Sequence, residues 1–309
     1  MKLEVLPDDI TGGYLIEHDY GYKFKAVPSR FRTMSGDRYV VRSPAYAAIE
    51  EVEYIAGLFE ELERKVENGE KLSDLIDMES FARIYVLDEF TRNEGAGVTS
   101  AYYYKDRDPA DPLIHAGPVW DYDQCLGNTY YAVVNEPHSL NFCTDHVQST
   151  LLFFNLYQKY SEFRESVMNY YRDELRPVFL KYSKAGLDSY LGPVLSNNDM
   201  NNVRWGNNDD AAYGSLAKAQ EFIDERIKFL DRAWIDKEKI HVVRFDQGNL
   251  DRVLHIGILD GDTIRAFPDF VNTASDNSPQ KVWYDMETGE TVDRETKITQ
   301  DMVIGRLLQ

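Results

Sequence analysis

An α+β fold is predicted for this 309-residue chain from three observations. Two long stretches, 43–91 and 148–234, read mainly as helices, because apolar residues recur at intervals of three and four in part of each and are denser in much of the rest. Short apolar and aromatic runs before and between these stretches are typical of strands. At Asp236 the helical period stops and short alternating runs follow. We therefore predict a mixed domain over residues 1–236 and a small β module over residues 237–309.

The first helical stretch divides into two predicted helices. Ser43 and Pro44 suit the N-cap and the first position of one helix, which Asn68–Gly69 ends. Its apolar face is formed by Ile49, Val52, Ile55, Phe59, Leu62 and Val66. Asp77 caps a second helix that runs to about Thr91. This helix is apolar on most sides, so we expect it to be central.

The second stretch is predicted to be a long helical region from Gln148 to about Leu180, with a break at Pro177. An Asn-rich run from Ser196 to Asp210 is predicted to be a loop. A last helix is expected to begin at Gly214–Ser215. Its spacing predicts a buried face formed by Leu216, Ala219, Ile223, Ile227, Leu230 and Trp234.

Strands are expected at residues 11–17, entered through Gly12–Gly13, and at Ala101–Tyr104. Residues 24–34 read as a loop or a second strand. In the C-terminal module, turns are expected at Asp260–Gly261 and at Thr288–Gly289. Alternating apolar residues before the first of these turns predict a strand: Leu254, Ile256 and Ile258.

The charge of the chain excludes some classes of partner. Its formal net charge is −19 and its sequence pI is about 4.7. Such an acidic chain repels nucleic acid and anionic membrane surfaces, so neither is expected as a partner. No stretch resembles a membrane span, so membrane insertion is not expected either. Cations and basic protein partners are favoured.

The cysteine and histidine residues indicate no metal centre. Cys125 and Cys143 could form one disulfide, but two cysteines alone do not make a structural zinc site. The histidines are scattered without a paired spacing, at positions His18, His115, His138, His146, His241 and His255.

Residues 93–128 carry the densest set of candidate functional side chains. The segment NEGAGVTSAYYYKDRDPADPLIHAGPVWDYDQCLGN places Asn93, Glu94 and Ser100 ahead of a Trp-Asp-Tyr-Asp cluster. A turn at Gly127–Asn128 closes the cluster.

Asp121 and Asp123, at alternate positions of that cluster, suit a hard cation. Mg²⁺ and Ca²⁺ take oxygen ligands, usually one or two carboxylates together with water or phosphate. The same pattern also fits two acidic residues that cap a turn, with Trp120 and Leu126 filling a core beneath it. Both readings stay open at this point.

Four segments resemble one known family. GPVWDYDQCLGN is similar to the GPVWDfDlafGN segment of the spore-coat protein H (CotH) kinase family. TRNEGAGVTSAYYYKD is similar to that family's tkN-x-DaG-x-tS-x-y-x-YKD segment. TGGYLIEHD at residues 11–19 and DMNNVRWGN at residues 199–207 resemble two further pieces. The four occur in family order and cover residues 5–235.

The resemblance implies an atypical protein-kinase-like domain, chiefly its larger helical lobe. It also implies a secreted or cell-surface protein that transfers phosphate from ATP, with Mg²⁺ or Mn²⁺, to Ser or Thr of a protein substrate. Family members carry a further segment ahead of the TGGYLIE-like strand, so the resemblance implies that the N-terminal part of the domain is missing here. If the protein is exported, its signal is expected to lie outside this chain.

The family pattern places candidate roles on particular residues. Its metal-binding Asp corresponds to Asp121, with Asp123 close by. Its catalytic Asp corresponds to Gly95, which has no side chain and accepts no proton. Glu94 and Asn93 are then the nearest candidates for the catalytic role.

Further candidates concern ATP and its phosphates. Ser100 is a possible ligand of a second metal or of phosphate. Glu17 ends the first strand and is expected to pair with a phosphate-binding cation, for which the nearest candidates are Lys23, Lys25, Arg30 and Arg32. Arg204–Trp205 reproduces the family's RW pair. One reading buries Trp205 and places Arg204 in an ion pair, and the other places Arg204 on a phosphate.

The tail resembles the Listeria–Bacteroides surface repeat, a small β-grasp-like module. The matching pieces are VVRFDQGN, the GDTI run ending at Pro268, VWYDMETGETVD and TKITQDMVI. The resemblance implies an extracellular setting and a role as a spacer or interaction module.

Three classes of function remain open because the expected catalytic Asp is Gly95. The first is an active protein kinase. The second is a non-catalytic, pseudokinase-like scaffold or adhesin that binds protein or glycan at a surface. The third keeps the metal as a structural Ca²⁺ bound by Asp121 and Asp123.

Overall fold

The protein was analysed as a computed structural model. The structure describes residues 10–19, 21–96, 99–129, 131–140, 151–195, 197–205, 216–246, 254–268 and 282–305. Within these ranges the chain forms helices and two five-stranded sheets, which confirms the α+β prediction. Its contacts divide it into a first unit, residues 1–88, 95–122 and 149–170, and a second unit, residues 89–94, 123–148 and 171–309. No helix in the described ranges is long and apolar enough to cross a membrane.

The first unit is built on an antiparallel sheet with neighbouring helices. Its strands are β1 (Tyr14–His18), β2 (Arg30–Arg32), β3 (Arg38–Ser43), β4 (Ala101–Lys105) and β5 (Ile114–Ala116). They lie in the order β2-β3-β1-β4-β5. Its helices are α1 (Tyr22–Ala26), α2 (Ile49–Asn68), the first part of α3 (Met78–Thr91), α4 (Leu151–Lys159) and α5 (Ser161–Tyr170).

The two faces of this sheet differ in character, because successive side chains of a strand point to opposite faces. One face packs on α2 through aromatic rings. Phe59 of α2 lies 4.5 Å from Tyr39 and 5.4 Å from Tyr103, measured between ring centroids. Glu17 and Tyr102 are paired directly across β1 and β4 and lie on the other face. Helix α2 therefore covers one face of the sheet, and Glu17 and Tyr102 lie on the face opposite α2.

The predicted entry to β1 through Gly12 has a steric reason. The amide of Gly13 donates to the carbonyl of Lys105 at 3.1 Å, which draws the chain close to the end of β4. A Cβ atom at Gly12 would lie 2.2 Å from the carbonyl carbon of Asp106. Only a residue without a side chain fits this approach.

The predicted start of the first helix at Ser43–Pro44 is wrong. Ser43 ends β3, where it pairs with β1, and this pairing keeps the backbone extended. Helix α2 begins instead at Ile49, and Glu51 accepts the amide of Ala48 at 2.7 Å. The predicted end is confirmed, because Gly69 has the left-handed conformation that closes helices.

The prediction for the second helix is confirmed, and the predicted apolar face of α2 is confirmed in part. Asp77 accepts the amide of Ser80 at 2.7 Å and caps α3, which ends at Thr91. The predicted apolar residues Ile55, Phe59, Leu62 and Val66 are buried, whereas Ile49 is 73% exposed.

The second unit combines helices with the C-terminal sheet. Its helical elements are a π-helical turn (Tyr171–Leu175), α6 (Arg176–Ala185), α7 (Asp188–Leu195), α8 (Asn198–Trp205), α9 (Leu216–Leu230) and a second π-helical turn (Asp231–Ile235). Its strands are β6 (Ile240–Asp246), β7 (Leu254–Leu259), β8 (Trp283–Asp285), β9 (Thr291–Val292) and β10 (Met302–Gly305). They lie in the order β7-β6-β10-β8-β9, and β6 is parallel to β10.

The long helical region breaks at a different residue from the one predicted. Helix α4 ends at Lys159 and α5 begins at Ser161, so the interruption falls at Tyr160. Pro177 lies in the first turn of α6, and the chain stays helical through it. A proline inside a helical run removes one backbone amide donor, and here the π-helical turn Tyr171–Leu175 directly precedes α6 and interrupts the α-helical hydrogen-bond pattern.

Other helix predictions have mixed outcomes. The Asn-rich run is not a loop throughout, because α8 (Asn198–Trp205) forms within it. The predicted helix start at Gly214–Ser215 lies outside the described residues. The predicted buried face of the last helix is confirmed at Ile223, Ile227, Leu230 and Trp234.

The β character of the tail is confirmed in the described residues. Leu254, Ile256 and Ile258 of β7 are buried, and the turns at Gly261 and Gly289 use positive φ angles. These strands surround a core of their own, formed by Val243, Phe245, Leu254, Ile256, Ile258, Ile264, Trp283, Val292, Ile298 and Ile304. The boundary at residue 236 and the β-grasp-like class stay predictions.

Two fully buried arginines hold the centre of the second unit. Arg226 of α9 donates to the carbonyls of Glu89, Pro137 and Ser139 and to the Glu89 carboxylate at 2.7 Å. Arg92 donates to a second set of backbone oxygens, those of Val133, Val134 and Ser139. A buried guanidinium is stable only when its donors find acceptors, so these contacts fix the course of residues 133–139.

Replacing Arg226 by Met is expected to destabilise the protein by about 3–5 kcal/mol. The buried Glu89 carboxylate loses its closest cation and keeps Arg92, 3.7 Å away, and the carbonyl of Pro137 loses the Arg226 donor. Urea unfolding of the full chain measures this change. Arg204→Met is the matched control, since Arg204 is exposed, and it should change the free energy of unfolding by less than about 0.5 kcal/mol. Equal losses in the two variants would contradict the assignment.

The buried His18 and the partly buried Asp37 form a second polar pair, in the first unit. Their closest side-chain atoms, Nε2 and Oδ1, are 3.7 Å apart. Burial lowers the pKa of His18 to about 4, against the opposing charge of Asp19. Burial raises the pKa of Asp37 to about 6. The two shifts act oppositely on stability, because folding then releases protons from His18 and favours protonation of Asp37.

Asp37→Asn should remove one side of this balance. At pH 7 the free energy of unfolding of the variant is expected to be about 1–2 kcal/mol higher, since a partly buried carboxylate no longer has to be ionised. The lowered pKa of His18 then acts alone. Its contribution is present above pH 6.5, and about 2 kcal/mol is lost as the pH falls towards 4.

Urea unfolding at several pH values tests this, with Glu60→Gln on the exposed side of α2 as the isosteric control. A pH profile of Asp37→Asn parallel to that of the control would exclude the opposed titration.

Candidate functional site

In the second unit the two motif segments are bonded to each other through their backbones. The amide of Leu126 donates to the carbonyl of Thr91 at 2.7 Å, and the amide of Glu94 donates to the carbonyl of Gln124 at 2.9 Å. The segment ending in Asn93–Glu94 thus runs beside the segment that follows Asp123. Residues far apart in sequence are brought together, as the motif pattern predicts.

In the first unit, side chains join the remaining parts of the same segments. Ser100 donates its hydroxyl to Asp121 Oδ2 at 3.1 Å. Tyr122, the next residue, donates to the carboxylate of Asp88 on α3. Ser100 and Asp88 are buried, whereas the Asp121 side chain is exposed. One oxygen of Asp121 is therefore held from within, and the carboxylate faces solvent.

Backbone strain is concentrated in these two segments. Of the five non-glycine residues with positive φ in the described part of the chain, four belong to the motifs: Arg92, Ser100, Asp121 and Leu126. Such conformations cost of order 1–3 kcal/mol each and persist where the surroundings impose them, which is common at functional sites. The strain falls on the candidate residues Ser100 and Asp121 themselves.

Tyr102 lies on the face of the first sheet opposite α2, where it is hydrogen-bonded to Glu17 and close enough to Asp121 for the charge of that carboxylate to act on it. Burial, the charge of Glu17 and a hydrogen bond to it raise the pKa of Tyr102 to about 12, and the charge of Asp121 adds to the rise. The phenol therefore stays protonated and donates to Glu17 at neutral pH. Trp120, 58% exposed, contacts Tyr102 edge-on at 6.3 Å between ring centroids.

The structure places Arg42 beside Glu17, and the sequence analysis missed this residue. Arg42 Nε lies 3.3 Å from the Glu17 carboxylate, which is fully buried, while the Arg42 side chain is 39% exposed. Among the predicted cations, Arg30 donates to the carbonyls of Phe24, Lys25 and Val27, and the Lys23 side chain lies outside the described residues. The alternation in RYVVRS could have suggested Arg42, but its partner depends on the pairing of β1 with β3.

The candidate catalytic residues lie in the second unit and are held by their surroundings. Asn93 is buried and Glu94 is partly buried. Asp123 is exposed, and its carbonyl accepts the side-chain amide of Asn128 at 2.9 Å. The catalytic roles of Asn93 and Glu94, and the metal role of Asp123, stay predictions.

The structural reading of the Arg204–Trp205 pair is wrong. Trp205 is 67% exposed rather than buried, and the Arg204 guanidinium stacks on its ring at 5.4 Å. Both residues lie in the last turn of α8, so each contacts the other at the surface. The alternative, Arg204 as a phosphate ligand, stays a prediction.

In the described ranges, no group of three or more His, Cys, Asp or Glu side chains is placed to hold a metal ion. Mg²⁺ needs fewer protein ligands, since one or two carboxylates suffice when phosphate and water supply the rest. The solvent-facing carboxylate of Asp121, held by Ser100, fits that requirement. Cys143 lies outside the described residues, so its pairing with Cys125 stays open.

An α+β scaffold with an anchored carboxylate, and with a buried Glu17 paired to a partly exposed Arg42, suits a kinase-like protein. A family model described as CotH kinase protein matches residues 5–230. This match covers well over half of the sequence, and the chain therefore belongs to the CotH kinase family. A search of curated proteins gave no match. The family match ends before β6, so the surface-repeat resemblance of the tail gains no support from it.

Proposed function

We propose that this chain binds ATP with Mg²⁺ or Mn²⁺ beside Asp121 and Arg42 in the first unit, and that its ancestral task is the ATP-dependent phosphorylation of protein Ser or Thr. Two polar pairs carry the proposal: Ser100 donates to Asp121, and Glu17 is ion-paired with Arg42. Tyr102 is hydrogen-bonded to Glu17 and lies near enough to Asp121 for its charge to raise the pKa of the phenol. Phosphoryl transfer asks a protein mainly to position phosphates and to neutralise their charge.

Each member of these pairs has a proposed role. Asp121 would hold the metal, and the bound metal supplies positive charge that neutralises the phosphate oxygens. Arg42, partly exposed and oriented by the buried Glu17, would contact the phosphates through its guanidinium, which suits phosphate geometry. Ser100 positions the Asp121 carboxylate.

The catalytic step is proposed to be weak or lost. Gly95 stands where the family places a catalytic Asp, and Glu94 is the nearest side chain that accepts a proton. This observation favours a second candidate function: a non-catalytic scaffold or adhesin, in the manner of a pseudokinase, that binds protein or glycan. ATP and metal would then regulate or stabilise the protein without turnover.

We also propose an extracellular or cell-surface location, with the tail as a surface-repeat module that contacts a protein partner. The tail has its own core, and its first and last strands, β6 and β10, are parallel neighbours at the centre of the sheet. This arrangement supports the β-grasp-like class. The net charge of −19 disfavours nucleic acid as the partner.

Thermal unfolding with ATP and Mg²⁺ or Mn²⁺ tests the nucleotide site. ATP at a hundred times its Kd should stabilise the chain by roughly 2.7 kcal/mol, and only with metal present. Asp121→Asn should abolish this gain, because it removes the carboxylate that would bind the metal. The backbone should be unchanged, since Asn also tolerates a positive φ angle. Arg42→Gln should reduce it, each variant being compared with its own ligand-free state.

Asp106→Asn and Arg107→Gln are the matched controls, both at exposed positions of the first unit, and both should keep the full gain. Absence of any gain in the parent chain would reject the nucleotide site. Stabilisation by Ca²⁺ alone, reversed by chelation and lost in Asp121→Asn, would favour the structural calcium site instead.

Gly95→Asp tests the position of the missing catalytic residue. The variant is expected to gain phosphoryl transfer by at least tenfold over the parent chain, because a carboxylate at the family position can accept the hydroxyl proton. Autophosphorylation measured by mass spectrometry is the readout, with Gly95→Asn as the isosteric control that cannot act as a base. Equal incorporation in Gly95→Asp and Gly95→Asn would show that the base is not placed there.

A further inference from the structure

The C-terminal sheet is bonded to the chain segment 131–140, within the second unit. The amide of Leu140 donates to the carbonyl of Gly257 in β7, and the amide of Gly257 donates back to Leu140, both at 2.8 Å. Leu140 is fully buried at this bridge. It extends the sheet by one paired residue beyond β7.

A second contact lies two residues earlier in the same segment. The guanidinium of Arg265, which follows β7, is 3.0 Å from His138 Nδ1. His138 also contacts the carboxylates of Glu136 and of Glu225 on α9. Arg265 thus adds a positive charge to a site where two carboxylates meet.

The same segment supplies the acceptors of the buried arginines. The carbonyl of Ser139 accepts from both Arg92 and Arg226, at 2.8 Å in each case. Leu140, the next residue, forms the bridge to Gly257. The tail therefore contacts Leu140, which directly follows Ser139, the shared acceptor of Arg92 and Arg226.

Arg92 in turn precedes the candidate catalytic residues. It has a positive φ angle, and Asn93 and Glu94 follow it directly. If segment 131–140 moves, the buried guanidinium of Arg92 loses acceptors, which is costly in a dry interior. The positions of segment 131–140 and of the Asn93–Glu94 loop are coupled for that reason.

We propose that the C-terminal sheet positions the Asn93–Glu94 loop, acting through Leu140 and Arg92, with Gly257 and Arg265 as positioning residues. The sheet lies beyond the family match, which ends at residue 230. The tail is then a working part of the domain that carries the motif. The proposal concerns the physical coupling and holds whether or not the chain transfers phosphate.

Hydrogen exchange of the full-length chain tests this coupling in the Arg265→Glu variant. The new carboxylate lies near Glu136 and Glu225 and should weaken the contact between the tail and segment 131–140. The amides of Leu140 and Gly257 are expected to exchange about tenfold faster, and those of Glu94 and Leu126 should follow by a similar factor. The amides of Glu94 and Leu126 donate to Gln124 and Thr91 of the motif segments, so their exchange reports the loop directly.

Arg294→Glu is the matched control, the same charge reversal at an exposed position of the same module, and it should leave all four amides unchanged. Arg265→Lys keeps the positive charge and should restore slow exchange. Faster exchange at Leu140 and Gly257 with no change at Glu94 and Leu126 would overturn the proposal. So would unchanged exchange at all four amides in Arg265→Glu.

General unfolding is recognised in the same experiment, because it would also accelerate the amides of β1 in the first unit. In that event Arg265→Gln, which removes the charge without adding repulsion, replaces Arg265→Glu. Faster exchange at Leu140 and Gly257 alone, or unchanged exchange at all four amides, would again overturn the proposal. The exchange readout needs no nucleotide, so failure of the nucleotide site leaves it intact.

Discussion

The buried guanidinium groups of Arg92 and Arg226 are the constraint on which the second unit depends. A cation without water must find acceptors in the protein, and here the acceptors are mostly backbone carbonyls. Carbonyls fix the course of the chain itself, in contrast to flexible side chains. The two arginines therefore specify where an irregular segment runs, although that segment has no regular secondary structure of its own.

The first unit uses the same principle with the opposite charge. Glu17 is fully buried in the middle of β1 and is held by Arg42 and Tyr102. Burying a carboxylate is unfavourable by itself, so its partners must arrive from neighbouring strands in the correct register. The pairing of β1 with β3 and β4 brings Arg42 and Tyr102 to Glu17, and the burial of Glu17 in turn requires that pairing.

Local features of the fold were predictable from the sequence, because they depend on neighbours in the chain. The cap at Asp77, the stop at Gly69 and the apolar face of α2 follow from spacing and from residue conformational preferences. The helix start predicted at Ser43–Pro44 was wrong because it rested on local preference alone. A local preference for a helix start was overridden there by pairing with β1, which a single sequence does not reveal.

In the candidate site, too, the residues within sequence motifs were predictable, and those that depend on strand pairing were not. Asp121 and Ser100 were found from the motif pattern, and the structure brings them into contact. Arg42 was missed because its relation to Glu17 depends on the register of two strands separated by a helix and a further strand. The exposure of Trp205 was also missed, since a tryptophan in a family motif suggests burial, whereas its surroundings on α8 decide otherwise.

The reciprocal hydrogen bonds between Leu140 and Gly257 have a consequence for how such chains recombine during evolution. A tail exchanged at the helix–sheet junction would have to bring a strand edge able to pair with Leu140, at the same height and in the same direction. Shuffling at that junction is therefore restricted to tails of matching geometry. The tail and the helical part of this unit should be inherited together.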